Sequence, residues 1–171
     1  ISNNLAITDI IIGAVDILLD IGCGNGKAAR LAAEICTSGK VIGIDPTAAM
    51  IRIARETTDE NYTNLEFRTG CAEKIPYPHE SFTIATAINS LHHWQDYKKG
   101  LLEVGRVLRP DGSFIIANDI VVGDTCGHGN GPLEKPEHIM SILDQAGFIN
   151  TSLEKYYNEE TGIYLISSKK P

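Results

Sequence analysis

The sequence has no excess of basic residues: lysine and arginine number 15 against 22 aspartates and glutamates, a formal net charge of −7. Nucleic acid calls for a basic footprint to neutralise its phosphates, and no basic stripe is present, so a nucleic-acid partner is excluded. There is also no apolar run approaching the roughly 20 residues of a membrane helix, and no basic-then-apolar leader. No CxxC pair occurs among the four cysteines, Cys23, Cys36, Cys71 and Cys126. A domain of 171 residues buries enough surface to hold together without disulfides, so reduced thiols and a cytoplasmic setting are expected. The one metal-like group, Cys126, His128 and the more distant His138, lacks the paired spacing of a zinc site, and no metal is expected. Repeats, low-complexity tracts and long linkers are missing too, which leaves a single domain over residues 1–171.

Short apolar strands alternate with amphipathic helices, the pattern of a parallel sheet covered on both faces. VDILLD (15–20) is a buried strand stopped by GCGNG, and residues 27–36 carry a helical stripe of Ala28, Leu31, Ala32 and Ile35. KVIGID (40–45) is the second strand, followed by a helix over 47–57 whose inner face holds Met50, Ile51 and Ala54. LEFRTG (65–70) and FTIATAI (82–88) are the third and fourth strands, and 97–108 is helical until RPDG stops it. SFIIAND (113–119) is the fifth strand, 137–146 a last helix capped by Gly147, and TSLEKYYN and GIYLISS flank NEET as an antiparallel hairpin.

The densest segment is DIGCGNG, Asp20 to Gly26. Glycines between a strand and a helix let the backbone take positive φ and let a ligand approach the main chain closely. Read from Gly24, the string also satisfies G-x-G-x-x-A through Ala29, so a nicotinamide dinucleotide remains an alternative, as does a tight turn with no ligand. Asp20 argues against the dinucleotide, because a carboxylate just before the turn opposes a pyrophosphate at the helix start. The same carboxylate suits a ligand that carries positive charge there. Asp45, closing the second strand, can accept both hydroxyls of a ribose in either case.

DIGCGNG, IGIDPTAAMIRIAR, TGCAEKIPYPHESF, LHHW and LLEVGRVLRPDGSFIIAN resemble, in that order, the successive motifs of class I S-adenosylmethionine-dependent methyltransferases. The chain is most similar to the small-molecule branch that includes the ubiquinone and menaquinone C-methyltransferases, from about Val15 to the C-terminus. The resemblance implies a doubly wound, Rossmann-like α/β fold. Its seven-stranded sheet would be mostly parallel, with an antiparallel last strand inserted beside the fifth. It implies S-adenosylmethionine as cofactor and a small molecule as methyl acceptor. By the same resemblance Gly22, Gly24 and Gly26 line the methionine part, with Asp20 near its amino group. Asp45 holds the ribose, and Pro46 and Met50 pack near ribose and adenine. Cys71 and the backbone of Ala72 meet the adenine edge, while Asn89 and Ser90 face the methionine and the reacting methyl.

The chain departs from that pattern at Cys71, where the family has the aspartate of GDAE, and at Thr83, where it has the aspartate of SFD. Only fourteen residues precede Val15, so the family's N-terminal cover is nearly absent. The glycine-rich stretch over 120–136 is then expected to act as a flap over the acceptor. Cys71 and the missing cover motivate a second reading, a cofactor-binding protein without transferase activity. Methyl transfer is an in-line displacement and needs a base only when the acceptor must lose a proton. His93, next to His92, is the candidate base, since imidazole is the side chain best suited to proton transfer at neutral pH; LHH recurs across acceptors in the family, so a structural or capping role stands beside it. Asn118 and Asp119, at the carboxyl edge, either touch the acceptor or cap a turn. Tyr77, Trp94 and Tyr97 are assigned to core or rim.

Overall fold

The computed structural model describes residues 12–120, 133, 135–157 and 162–171. Its elements are β1 (Ile17–Ile21), α1 (Lys27–Ile35), β2 (Lys40–Asp45), α2 (Ala48–Glu56), β3 (Leu65–Thr69), β4 (Phe82–Ile88), α3 (Tyr97–Val107), β5 (Leu108–Ile120), α4 (Pro136–Gln145), β6 (Ile149–Tyr157) and β7 (Gly162–Lys169), with a single 3₁₀ turn at Leu91–His93. One seven-stranded sheet runs in the order β3-β2-β1-β4-β5-β7-β6. Strands β1 to β5 pair in parallel, and β7 lies antiparallel to both β5 and β6. This is the expected doubly wound sheet with an antiparallel last strand beside the fifth.

Alternation along each strand builds two cores. Leu19, Ile21, Ile42, Ile44, Ala85 and Ile116 face a layer that holds Leu101 and Val104 of α3 and Ile139 and Leu143 of α4. Leu18, Val41, Ile84 and Ile115 face the other way, toward Ala28 and Ala32 of α1 and Ala54 of α2. The small alanines let α1 approach the sheet closely. Tyr77, Trp94 and Tyr97 are half-buried against the first core, in keeping with their assignment.

The second and fourth strands and the starts of the first and third helices fall where the sequence puts them. The fifth strand differs, for it begins at Leu108 rather than Ser113. Leu108 pairs with Phe82 and Ser113 with Ile84, so the intervening RPD turn is looped out as a bulge within the strand. Asp111 there has φ +60°, and its N–H donates to the carbonyl of Lys170, while Lys170 N–H donates to Gly112. The tail of the chain thus satisfies backbone groups that a free turn would give to water. The expected flap over 120–136, with Cys126 and His128, lies almost entirely outside the described residues.

Reversal of strand order between β1 and β4 opens a crevice at their carboxyl ends, the usual ligand position in such sheets. The segments after β1, β2, β3 and β4 all emerge on this edge, because those strands are parallel.

Candidate functional site

Asp20 stands next to last in β1, between Gly43 of β2 and Thr86 of β4. It is 2% exposed. Its Oδ1 accepts the Thr86 hydroxyl at 3.0 Å, and its Oδ2 is a buried atom with no hydrogen-bond partner among the described residues. Burial pushes its carboxyl up from an ordinary 3.8 to about 6; the Thr86 hydroxyl pulls it back, and the charge of Asp45 adds to the rise. An unpaired buried carboxylate is costly, and it attracts any positive charge that reaches the crevice.

Four N–H groups of the turn that follows are spent on the protein itself. Gly22 and Cys23 N–H both donate to the Ile44 carbonyl, at 2.8 and 3.0 Å. Gly24 N–H donates to Asp45 Oδ2 at 3.0 Å, and Gly26 N–H to the Cys23 carbonyl at 2.9 Å. A phosphate cradle works by pointing such N–H groups outward at the anion. These four are turned inward, and two carboxylates lie beneath them. The Cys23 thiol is held protonated well above its ordinary range, first by burial and then by the charges of Asp20 and Asp45. It is a packing group, not a nucleophile.

The three glycines of the turn all have positive φ, yet they face different surroundings. A Cβ on Gly22 would sit 2.5 Å from Ser90 Cβ, and one on Gly26 would sit 2.5 Å from the Phe67 ring. A Cβ on Gly24 would meet nothing within 4 Å. Gly22 therefore joins β1 to the segment after β4, Gly26 lets α1 close onto β3, and Gly24 fronts open space.

At the end of β2, Asp45 is 8% exposed and already engaged. Besides Gly24, its Oδ1 accepts the Thr47 N–H at 2.8 Å, which fixes the entry to α2. A carboxylate offers about four lone-pair positions, so acceptor capacity remains. Pro46 and Met50 are exposed on the rim beside it. After β3, Cys71 is half-buried and its backbone bridges to Lys74. Ala72 is buried, its methyl group facing Gly100 of α3.

After β4, Asn89 takes φ +50° and clamps Asp119 at the end of β5. Its side-chain amide donates to Asp119 Oδ2 at 3.0 Å and its Oδ1 accepts the Asp119 N–H at 2.9 Å. Ser90 is buried, and its hydroxyl donates to the Ile21 carbonyl. Asn118 donates to the Tyr164 hydroxyl at 2.6 Å, while its Oδ1 is buried without a partner. His93 is exposed; its backbone N–H donates to Ser90, and its ring lies against that of His92, with 4.0 Å between centroids. Thr83 replaces a carboxylate by linking strands: its Oγ1 accepts the Ile17 N–H at 2.9 Å and donates to Asp16 at 2.7 Å.

Asp20, Gly22, Gly24, Asp45 and Ser90 thus lie together at the crevice, each tied down by its own hydrogen bonds, with Pro46, Met50, Cys71, Ala72, Asn89 and His93 on the same edge. Sequence reasoning missed Thr86 and the Ile44 carbonyl. A hydroxyl inside the otherwise apolar run FTIATAI was the available signal for the first; the second carries no side-chain signal. Among the described residues no group of three or more histidines, cysteines or carboxylates is placed to hold a metal. A groove between the end of α2 and β3, lined by residues such as Arg55, Tyr62 and Arg68, lies apart from this site. No helix among the described residues is long and apolar enough to cross a membrane.

A family model described as a methyltransferase domain matches residues 19–116. The uncharacterized methyltransferase YcgJ of Bacillus subtilis is 34% identical over 128 residues, 71% of this chain and 49% of that protein. A demethylmenaquinone methyltransferase of Chlorobaculum parvum is 35% identical over 104 residues, 61% of this chain and 41% of that protein. The chain therefore spans about half the length, or less, of these curated relatives. Among solved structures, a SAM-dependent methyltransferase from Aquifex aeolicus superimposes with a TM-score of 0.85 at 19% identity, over 99% of this chain and 89% of that one. The crystal structure of Bacillus subtilis YcgJ gives 0.77 at 21% identity, over 99% and 97%. The match over more than half the chain, on the strands and turn that build the crevice, makes this protein a member of the methyltransferase domain family.

Proposed function

We propose that the protein transfers a methyl group from S-adenosylmethionine to a small-molecule acceptor. The observation that carries this reading is the turn with its donors inward and Asp20 and Asp45 beneath it. That electrostatic setting favours a ligand with an ammonium and a sulfonium and disfavours a pyrophosphate. Family membership supports the same choice over a nicotinamide dinucleotide.

In this reading the negative field of Asp20 holds the methionine ammonium, and Asp45 accepts the ribose hydroxyls with its remaining lone pairs. Gly24 admits the methionine part, and Gly22 and Gly26 shape the turn from behind. Pro46 and Met50 cover ribose and adenine, and Cys71 with the Ala72 backbone borders the adenine edge. When bound, the cofactor supplies a methyl on a positively charged sulfur, activated for in-line displacement. Asn89 and Ser90 stand on the acceptor side, where the Asn89–Asp119 clamp holds a carboxylate at the mouth of the crevice. In this reading His93 takes a proton from an acceptor that must lose one.

The chain works as a single domain, consistent with one continuous sheet across the described residues. Its net charge of −7 speaks against a nucleic-acid acceptor, and the free thiols Cys23, Cys36 and Cys71 fit a cytoplasmic setting. The test is calorimetric titration with S-adenosylmethionine and with NAD, followed by turnover against an acceptor panel that includes a demethylated quinone, given the names of the relatives. Binding of S-adenosylmethionine with methylated product is expected. Binding with no product across the panel would favour a cofactor-binding protein, and NAD binding would overturn the assignment.

A further inference from the structure

Thr86 lies in the middle of β4, completely buried, in register with Asp20. Every other residue of the run FTIATAI from Ile84 onward is aliphatic, so a hydroxyl there requires a partner. Two acceptors are within reach: Asp20 Oδ1 at 3.0 Å and the Leu19 carbonyl at 3.4 Å. A hydroxyl has one proton to give, and a carboxylate is the stronger acceptor when ionised. Donation to Asp20 therefore belongs to the charged form. Once Asp20 is protonated, its own O–H can donate to Thr86 Oγ1, and the hydroxyl proton turns to Leu19.

We propose that Thr86 is a positioning residue for the cofactor: by donating its hydroxyl to Asp20 it keeps a negative charge beneath the glycine turn and so sets how tightly a cationic ligand is held there. This rests on the assignment of S-adenosylmethionine to the crevice. The groups that face Asp20 act in both directions. Asp45, from the end of β2, opposes its ionisation, and so does burial under the turn. Cys23, from the turn, stays neutral, and Gly43 of β2 contributes no side chain. From β4, the Thr86 hydroxyl is the group that favours the charged form. Ser90, beyond β4, spends its hydroxyl on Ile21.

Thr86→Val keeps the shape and the β-branched character while removing the hydroxyl; Thr86→Ser keeps the hydroxyl while removing a methyl. Binding of S-adenosylmethionine to wild type and both variants would be titrated from pH 5 to pH 8, with the pH dependence of thermal stability of the ligand-free proteins as the second readout. For wild type, affinity should hold above about pH 7 and fall as the pH drops through 6. For Thr86→Val, the fall should begin at higher pH, and affinity at pH 7 should drop about two- to fifteenfold, because losing a hydrogen bond to the charged form leaves less of Asp20 ionised. Thr86→Ser should keep the wild-type midpoint. If Thr86→Val does not fold, Thr86→Ala carries the same test. An unchanged midpoint in Thr86→Val, or equal loss in the serine and valine variants, overturns the role of the hydroxyl. Failure of wild type to bind at any pH would instead overturn the cofactor assignment.

Discussion

Asp20→Asn should stabilise the ligand-free protein at neutral pH while weakening its hold on the cofactor. The folded-state value of the Asp20 carboxyl, about 6, lies above its ordinary 3.8, so its contribution favours folding below about pH 4 and is lost as pH rises through 6. By pH 7.5 the ionised group costs about 3 kcal/mol relative to an unperturbed carboxylate. At pH 5 most of the folded protein carries Asp20 protonated, and the cost is about half of that. Asparagine cannot ionise, although its amide N–H₂ would take the place of the unpartnered Oδ2 at a fixed cost of about 1–3 kcal/mol. That fixed cost cancels when one compares pH values. Between pH 5 and 7.5 the stability of the variant should therefore rise relative to wild type by about 1–2 kcal/mol, or roughly 2–8 °C in Tm for a chain of this size. Urea or thermal unfolding of both proteins across this range measures it. The cofactor should raise the Tm of wild type at pH 7.5 and leave that of the variant nearly unchanged. A wild-type-to-variant difference that stays flat with pH, or runs the other way, would refute the buried unpaired carboxylate.

The remaining expectations concern neighbouring groups. Asp45→Ala should weaken S-adenosylmethionine binding about ten- to a thousandfold by titration, and also lower stability by about 1–3 kcal/mol, because Gly24 and Thr47 lose their acceptor; unchanged affinity would remove Asp45 from the site. Gly26→Ala should destabilise by about 2–5 kcal/mol in denaturant melts, since its Cβ meets Phe67 at a positive φ. Gly24→Ala should cost only the backbone term of about 1–2 kcal/mol and show its main effect in cofactor affinity, as its Cβ enters open space; equal stability losses in the two variants would contradict their different surroundings. Cys71→Asp should tighten binding by about 0.5–1.5 kcal/mol, with a larger gain when the adjacent Glu73 is changed to Gln, and weaker binding would mean that the adenine edge lies elsewhere.

Much of the scaffold is visible in the sequence because it is locally encoded. KVIGID and FTIATAI are mostly apolar runs between turn residues, and their strand limits coincide with the observed ones. The start of β5 is not local. RPDG reads as a loop, and only the late-arriving Lys170 turns it into a bulge of the strand. The site divides in the same way. Asp20, the glycines and Asp45 are legible as types at fixed offsets from strand ends. That Asp45 braces the turn, that Gly26 faces the core while Gly24 faces outward, and that Thr83 ties β4 to β1 depend on contacts between segments 20 to 70 positions apart. Thr86 sits 66 positions from the carboxylate it serves. A helical or strand period carries no information about such a pairing; register does.

The most direct test of a cation-seeking crevice is proton counting during cofactor binding, by titrating S-adenosylmethionine calorimetrically at pH 6 and pH 7.5 in buffers of different ionisation enthalpy. With Asp20 near half-protonated at pH 6, pairing with an ammonium should release about half a proton per ligand; at pH 7.5 that release is gone and the partly neutral amine of the ligand takes up a fraction of a proton instead. Absence of binding, or binding at pH 6 with no proton release or with proton uptake, would contradict the account.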